Sequence, residues 1–291
     1  MNDLRRRGRN VRILRIVGLY LALSIAAAAI VFPVYVTVVN STLSYGDILN
    51  TRVIPPNPFR AATWTTIAHS YSAAWSDGTM GRYLFNSAIM TVCIVVGQVM
   101  TGVLAGYAFA YLRFPLKRVL FFLFLATLMI PFEVTLLSNL KFISSLGLYD
   151  TYAALCLPFL ATGFGAFLMR QAFLGVPNDL WDAAQLDGYG HLRFLWKVAL
   201  PIVRPSVAAL TVFGALSAWG QYLWPQLAAS GRPEHDLRTV QIGVGVLVQQ
   251  NATSINVAYA GLVLAMVPIV IVLIIFQKQL IRGLTAGAVK G

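Results

Sequence analysis

Six apolar runs, each close to the length of a bilayer crossing, leave this chain few folds to choose from. They extend from Ile16 to about Val39, Leu84 to Leu112, Val119 to about Ser138, Ala153 to Met169, Val207 to Trp224 and Val257 to Phe276. A helix needs roughly 17–25 residues to cross about 30 Å of hydrocarbon. Inside lipid the backbone must satisfy its own polar groups, which a helix does within one segment. Composition agrees, with 58% hydrophobic residues, 11% charged and a mean hydropathy of +0.73. Soluble chains average roughly 25% charged residues. The expectation is an all-α polytopic membrane protein with six transmembrane helices.

The first run follows six arginines between Arg5 and Arg15. A cleavable signal sequence would have an apolar core of about 7–15 residues, whereas here apolar character continues past Phe32 to Val39, so the run is taken as a retained span. Residues 1–15 are then a basic terminus and 16–291 one transmembrane domain. The longest polar segment, Asn40 to Arg82, lacks periodicity, and Pro55, Pro56 and Pro58 forbid a continuous helix through it. It is assigned as an extracytoplasmic loop.

Six crossings put both termini on one side, and charge asymmetry says which. With the termini fall the six N-terminal arginines, Arg113, Lys117, Arg118, Arg170, Arg193, Lys197, Arg204, Lys278, Arg282 and Lys290. The opposite side receives Arg52, Arg60, Arg82, Lys141, Arg232 and Arg238, a division of 16 against 6. Basic residues accumulate on the cytoplasmic side, so both termini are expected there, in a bacterial cytoplasmic membrane. The net charge of +12 is accounted for by orientation and calls for no nucleic acid.

One cytoplasmic segment, residues 176–201, is polar yet not loop-like. Leu180, Ala183, Ala184 and Leu186 have helical spacing. Asn178 or Asp179 is expected to cap the helix, with Asp182 adding negative charge near its start, and Gly188 to stop it. A second helical piece, Tyr189 to Ala199, precedes Leu200-Pro201. The small alanines leave a low face on which another protein can lie closely.

Asp182-Ala183-Ala184, then Asp187-Gly188, then nine residues to Val198-Ala199-Leu200-Pro201, resembles the E-A-A coupling motif of permease subunits in bacterial ABC importers. Asp replaces the family's Glu and Val its Ile, keeping charge sign and apolarity, though the Asp carboxylate reaches one methylene less far. Ala105-Gly106-Tyr107-Ala108-Phe109-Ala110, Met129-Ile130-Pro131, Leu146 to Tyr152 and the closing Gly283 to Gly291 are similar to the carbohydrate-uptake, maltose-type group. Within it, Pro131-Phe132-Glu133-Val134 and Trp219-Gly220-Gln221-Tyr222-Leu223-Trp224-Pro225 most resemble permeases for glycerol phosphates. The resemblance implies a type I importer (MetI-like) fold with a cytoplasmic coupling helix. It also implies a second related permease, two cytoplasmic nucleotide-binding subunits and an extracytoplasmic substrate-binding protein. The coupling residues would be Asp182, Ala183, Ala184, Asp187, Gly188, Leu200 and Pro201. The solute would be sn-glycerol-3-phosphate or a glycerophosphodiester, with a saccharide such as maltose or trehalose as the alternative. A secondary transporter or channel would explain the spans but not the coupling helix.

No phosphate loop ending in Gly-Lys-Ser/Thr occurs, so ATP and Mg are assigned to the partner subunits and none to this chain. Cys93 and Cys156 each lie in an apolar run, and His69, His191 and His235 in separate polar segments, so neither a metal nor a catalytic site is expected. The Asn40-Ser41-Thr42 and Asn251-Ala252-Thr253 sequons carry no weight in a bacterial membrane. For the substrate pathway, Glu133 is a candidate because an ionisable group inside a span is costly. It could contact a hydroxyl or a cationic head, or orient Lys141, but is a poor direct phosphate ligand. Trp219, Gln221, Tyr222 and Trp224 close the fifth span; aromatic rings favour the interface in any membrane protein, while Gln221 could bond a polyol. Asn139 and Gln98 are further candidates.

Overall fold

The computed structural model describes residues 2–52, 54–77, 79–229, 236–250 and 254–285, with side chains described for those outside 2–14, 77 and 279–285. Arg232, His235, the Asn251 sequon and residues 286–291, including Lys290, lie outside the described residues. Every regular element among those described is helical. The chain divides into two compact units, Met1–Gly78 with Leu247–Leu264, and Thr79–Val246 with Ala265–Gly291.

In the first unit, α1 (Asn2–Asn40) is followed by α2 (Tyr45–Leu49) and α3 (Ala61–Ser72). Among the described residues no continuous helix runs through Asn40 to Arg82, in keeping with the prolines there, but short helices form on either side of them. The three prolines do interrupt the chain, but they fall between α2 and α3 and leave both free to form. The Ser44 hydroxyl caps α2 and, with Arg52, holds the Asp47 carboxyl below its usual range. Ser41 and Tyr71 share a 2.9 Å hydrogen bond, and buried Asn256 donates to Ser70 at 2.7 Å.

The second unit is built on α4 (Met80–Tyr111), which starts four residues before the apolar run. Then come α5 (Lys117–Thr127), α6 (Phe132–Ser145), α7 (Tyr152–Cys156), α8 (Gly163–Leu174), α9 (Asn178–Leu186), α10 (His191–Phe194), α11 (Leu200–Ile202), α12 (Arg204–Trp219) and α13 (Leu223–Ala228). Finally α14 (Val240–Gln250) and α15 (Ile255–Thr285) each pass from one unit into the other along the chain.

Arg15–Asn40, Met80–Tyr111 and Ile255–Lys278 are long and apolar enough to cross a membrane as single helices. Three further segments reach that length and apolarity only as bent pairs: α5 with α6 at 99°, α7 and its continuation to Phe159 with α8 at 48°, and the His191–Ile202 segment with α12 at 81°. Counting each pair as one span gives the six expected. The third run is therefore not a continuous helix. Tight turns at Leu128, Met129 and Ile130 close α5, and Pro131, which has no N–H to offer and cannot extend α5, begins α6.

Small residues set how closely the helices of this unit pack. A Cβ on Gly106 of α4 would lie 2.5 Å from Met169 Cβ and 2.7 Å from the Arg170 amide nitrogen in α8; at Gly102 it would lie 3.2 Å from the Gly165 carbonyl carbon. Thr101 adds a 2.8 Å hydrogen bond to the Leu160 carbonyl. Small residues at such a seam replace the hydrophobic driving force that lipid removes. Gly106→Ala is accordingly expected to destabilise the chain by about 1–3 kcal/mol through overpacking, visible as a lower thermal aggregation temperature of the purified protein in detergent.

Candidate functional site

The segment 176–201 folds as two short helical pieces joined at a glycine. Its first helix, α9, is capped by Pro177 with no side-chain hydrogen bond, which corrects the assignment of Asn178 or Asp179 as cap. Both are already inside the helix, because Pro177, with φ −57° and ψ 134°, takes the extended cap conformation itself. Asp179 remains in the first turn, where the dipole favours its charge. At the other end Gly188 has φ +74°, its N–H donates to Gln185 and that of Tyr189 to Ala184. This pair of bonds is the glycine-dependent stop that the sequence predicts.

Aromatic packing then fastens α9 to the end of α4. The Trp181 indole stacks on His191 at 4.4 Å with an interplanar angle of 12°, and His191 Nδ1 shares a 3.0 Å hydrogen bond with the Tyr107 hydroxyl. Phe194 meets both Trp181 and Tyr111 edge-on, while Phe173 closes the cluster under Tyr107. Ala184 is buried in this core, so it is not part of a face left open to another protein. The open face is Asp179, Asp182, Ala183 and Leu186, the last 91% exposed. Asp187 is exposed as the helix's C-terminal cap, and Leu200 and Pro201 are half-buried in α11 before the 81° bend, so they shape the joint. Trp181, Tyr107, His191 and Phe194 were not singled out as a unit in the sequence. The signal present was Trp181 and Ala184 three residues apart, one turn on the same helix side.

A second constellation gathers where α6 and α13 begin. Glu133, in the first turn of α6, lines a pocket of about 410 Å³ with Phe132, Phe159, Gln221, Tyr222 and Trp224. Glu133 is thus not within an unbroken span; the break at Pro131 leaves it exposed at a helix start. The pocket wall is rigid: Phe132, Phe159 and Trp224 pack mutually with ring centroids 4.8–6.1 Å apart, and buried Trp224 donates its indole N–H to the Ala154 carbonyl at 3.0 Å. Gln221 has a buried Oε1 without a partner among the described residues. Trp219 is turned elsewhere, donating to the Ala265 carbonyl at 3.1 Å. Asn139 lines a separate cavity of about 300 Å³ beside Leu157 and Pro158, and donates to Thr135. Gln98 is buried and donates to the Phe159 carbonyl at 3.1 Å, behind the aromatic wall. Lys141 lies eight residues along α6 from Glu133, about 12 Å by helical rise, out of reach as its partner.

Sequence reading also passed over a polar clamp around Asp236 and Arg238. The carboxylate of Asp236 accepts from the Arg238 backbone N–H at 3.0 Å, from its guanidinium at 2.6–3.0 Å, and from the Tyr83 hydroxyl at 3.2 Å. Asn86 donates to the carbonyls of Asp236 and Arg238, both at 2.9 Å, and accepts from Tyr152 at 2.7 Å. Ser87 accepts from the Val240 N–H at 2.8 Å. Burial would raise the Asp236 carboxyl, but the Arg238 hydrogen bonds outweigh it and hold the group below its ordinary value. The partners are about 150 residues apart in sequence, beyond any local pattern.

Residues 98–286 match the family described as binding-protein-dependent transport system inner membrane component. The sn-glycerol-3-phosphate transport system permease protein UgpE of Rhizobium meliloti (strain 1021) is 35% identical over 274 residues, and that of Yersinia pestis 33% over 270, each spanning 91% of this chain and 94% of the relative. UgpE of Agrobacterium fabrum is 32% identical over 268 residues, with the same coverage. Among solved structures, a bacterial ABC transporter involved in the import of the acidic polysaccharide alginate has a chain similar in fold, with a TM-score of 0.76 at 24% identity, over 92% of this chain and 96% of that one.

Proposed function

We infer the role of this chain from one premise: it belongs to the family of binding-protein-dependent transport system inner membrane components. It is a multi-pass inner-membrane permease subunit of an ABC importer, acting with the other components of such a system. Its solute is sn-glycerol-3-phosphate, the substrate named for relatives 33–35% identical along 91% of the chain. A second permease completes the pathway, an extracytoplasmic protein delivers the solute, and two cytoplasmic subunits hydrolyse Mg-ATP. Both termini and α9 face the cytoplasm, a placement supported by the 16 against 6 distribution of basic residues.

The observation that carries the coupling role is the rigid attachment of α9 to α4. On the open face Asp179, Asp182, Ala183 and Leu186 are exposed, Asp182 at the edge of a cleft of about 920 Å³ shared with Arg113 and Lys117, while half-buried Trp181 packs against the core and carries the His191 ring stacked on it. A force applied to that face by a closing ATPase pair passes into α4 and α8 as a rigid-body tilt. Asp182 takes the place of the family's glutamate.

The pocket at Glu133 suits the alcohol end of the solute. Its polar groups are the Glu133 carboxylate, a hydrogen-bond acceptor, the hydroxyls of Ser217 and Tyr222 and the Gln221 side-chain amide, and its lining contains no cation. Hydroxyl groups donate to such a site, whereas a phosphate is repelled by it. The phosphate therefore falls to the second permease. Gln221→Ala is expected to raise the KM for labelled sn-glycerol-3-phosphate uptake about tenfold, about one hydrogen bond's worth, and Glu133→Gln to raise it less while changing preference among polyol phosphates. Unaltered KM and selectivity in both variants would remove the pocket from the pathway. Uptake of a neutral saccharide in place of the phosphate ester would overturn the solute assignment.

A further inference from the structure

The first turn of α5 concentrates positive charge where a helix least favours it. Lys117 and Arg118 sit at its N-terminal end, where the dipole is already positive, and the capping residue Leu116 supplies no side-chain hydrogen bond. Arg170 of α8 joins them around a cleft of about 560 Å³ whose remaining walls are Phe121 and Phe122. Two of these cations are partly accounted for within the chain. Lys117 Nζ donates to the Ala110 and Leu112 carbonyls at 3.1 and 2.9 Å, and Arg170 Nε to that of Phe109 at 3.3 Å. Arg170 also lies 4.2 Å over the Phe121 ring. All these acceptors are uncharged. Among the described residues no carboxylate comes within ion-pair distance of any of the three, and Arg118 is exposed without a hydrogen-bond partner.

The surroundings of the cleft indicate the source of the missing anion. Beyond the cations α5 turns apolar side chains outward, with Phe122 67% and Leu123 57% exposed. A charged mouth continuous with an apolar wall fits a molecule with a phosphate at one end and acyl chains at the other. A soluble anion would gain nothing from the wall. We propose that the cleft between α5 and α8 binds the headgroup phosphate of an anionic phospholipid, with Arg118 as its main charged contact and an acyl chain lying along Phe122 and Leu123. Basic pockets between membrane helices recognise lipid headgroups in this way. The site requires that the chain spans a bilayer and is independent of which solute is carried.

The test uses the full-length chain, purified in detergent and exchanged into phosphatidylglycerol or phosphatidylcholine of the same acyl composition, with bound lipid counted by native mass spectrometry. Wild-type protein is expected to retain phosphatidylglycerol in preference, and Arg118→Gln to lower its occupancy about fivefold, the contribution of one basic residue near an anionic surface. Arg204→Gln, an equal charge change at another exposed position, is expected to leave occupancy unchanged. Equal retention of the two lipids, or an equal loss in the Arg204 variant, would overturn the site. Displacement of phosphatidylglycerol by millimolar inorganic phosphate would reassign it to a free anion and overturn the lipid.

Discussion

Gly188→Val is expected to reduce ATP-driven uptake by more than about tenfold while the chain still inserts and assembles. At φ +74° a β-branched side chain meets its own backbone, at a cost of about 1–2 kcal/mol. A typical domain has about 5–15 kcal/mol of stability, so this does not unfold the protein. It is enough to displace the cap, whose two hydrogen bonds, Gly188 to Gln185 and Tyr189 to Ala184, aim the chain from α9 into α10. The Trp181–His191 stack bridges that joint, so a shift there loosens the grip of α9 on α4. Paired assays in proteoliposomes, uptake beside ATP hydrolysis, should show hydrolysis without transport. Gly188→Asn is the control, because Asn accepts a left-handed backbone, and it should retain most of the uptake. Equal uptake by the Val and Asn variants would rule out a mechanical role for the cap. Asp182→Lys probes the same face without touching the fold, since Asp182 is exposed and makes no ion pair among the described residues. Its expected effect is loss of coupling at normal stability.

Arg238→Ala is expected to be the most destabilising of these substitutions, by about 3–5 kcal/mol, because it strands a buried carboxylate. Asp236 is 6% exposed, and without Arg238 its charge keeps only the Tyr83 hydroxyl as a side-chain donor. Removing both charges, as in Asp236→Asn with Arg238→Gln, should recover much of the loss, because no unpaired ion remains. The pH dependence separates this from a simple packing defect. In the wild-type protein the Asp236 carboxyl is held below its usual value, so the pair's contribution is complete above about pH 4 and fades as acid protonates it. In Arg238→Ala only burial remains to act strongly on the carboxyl, which favours the neutral form. The deficit of the variant against wild type should therefore be largest near neutral pH and shrink in acid. A deficit independent of pH would mean that the clamp holds by shape alone.

The fold was largely legible because its governing signals are local. Apolar runs of span length, basic residues flanking them, and a glycine after a short amphipathic segment act over a few residues each, so six crossings and the stop at Gly188 could be read in order along the chain. The breaks were harder to see. Pro131 sits inside a run that hydropathy alone treats as continuous, and whether such a proline kinks a helix or ends it depends on what packs around it. Here Gly163 lets the start of α8 approach to where a Cβ would meet the Phe124 carbonyl oxygen at 2.5 Å, so the turn is supported from outside.

The candidate residues divide along the same line. Asp182, Gly188 and Glu133 could be picked out from residue type and spacing, since a motif and a charge within an apolar run are properties of the sequence. The four residues at the end of the fifth run could not be ranked, because their chemistry is alike. Tertiary packing turned the Trp219 and Trp224 N–H groups toward buried carbonyls and left Gln221 and Tyr222 lining a pocket with Glu133. It likewise buried Ala184 and exposed Ala183, although the two are neighbours in one motif. By itself the sequence determined that this chain is built of apolar helices of membrane-spanning length and that the helix after Val176 stops at Gly188, since these follow from transfer energies and backbone preferences of short segments. Which side of α9 is exposed, which polar groups are spent on the fold and which line an open pocket were decided only in three dimensions, because a hydrogen bond or a stacked ring is shared between residues that the chain order keeps far apart.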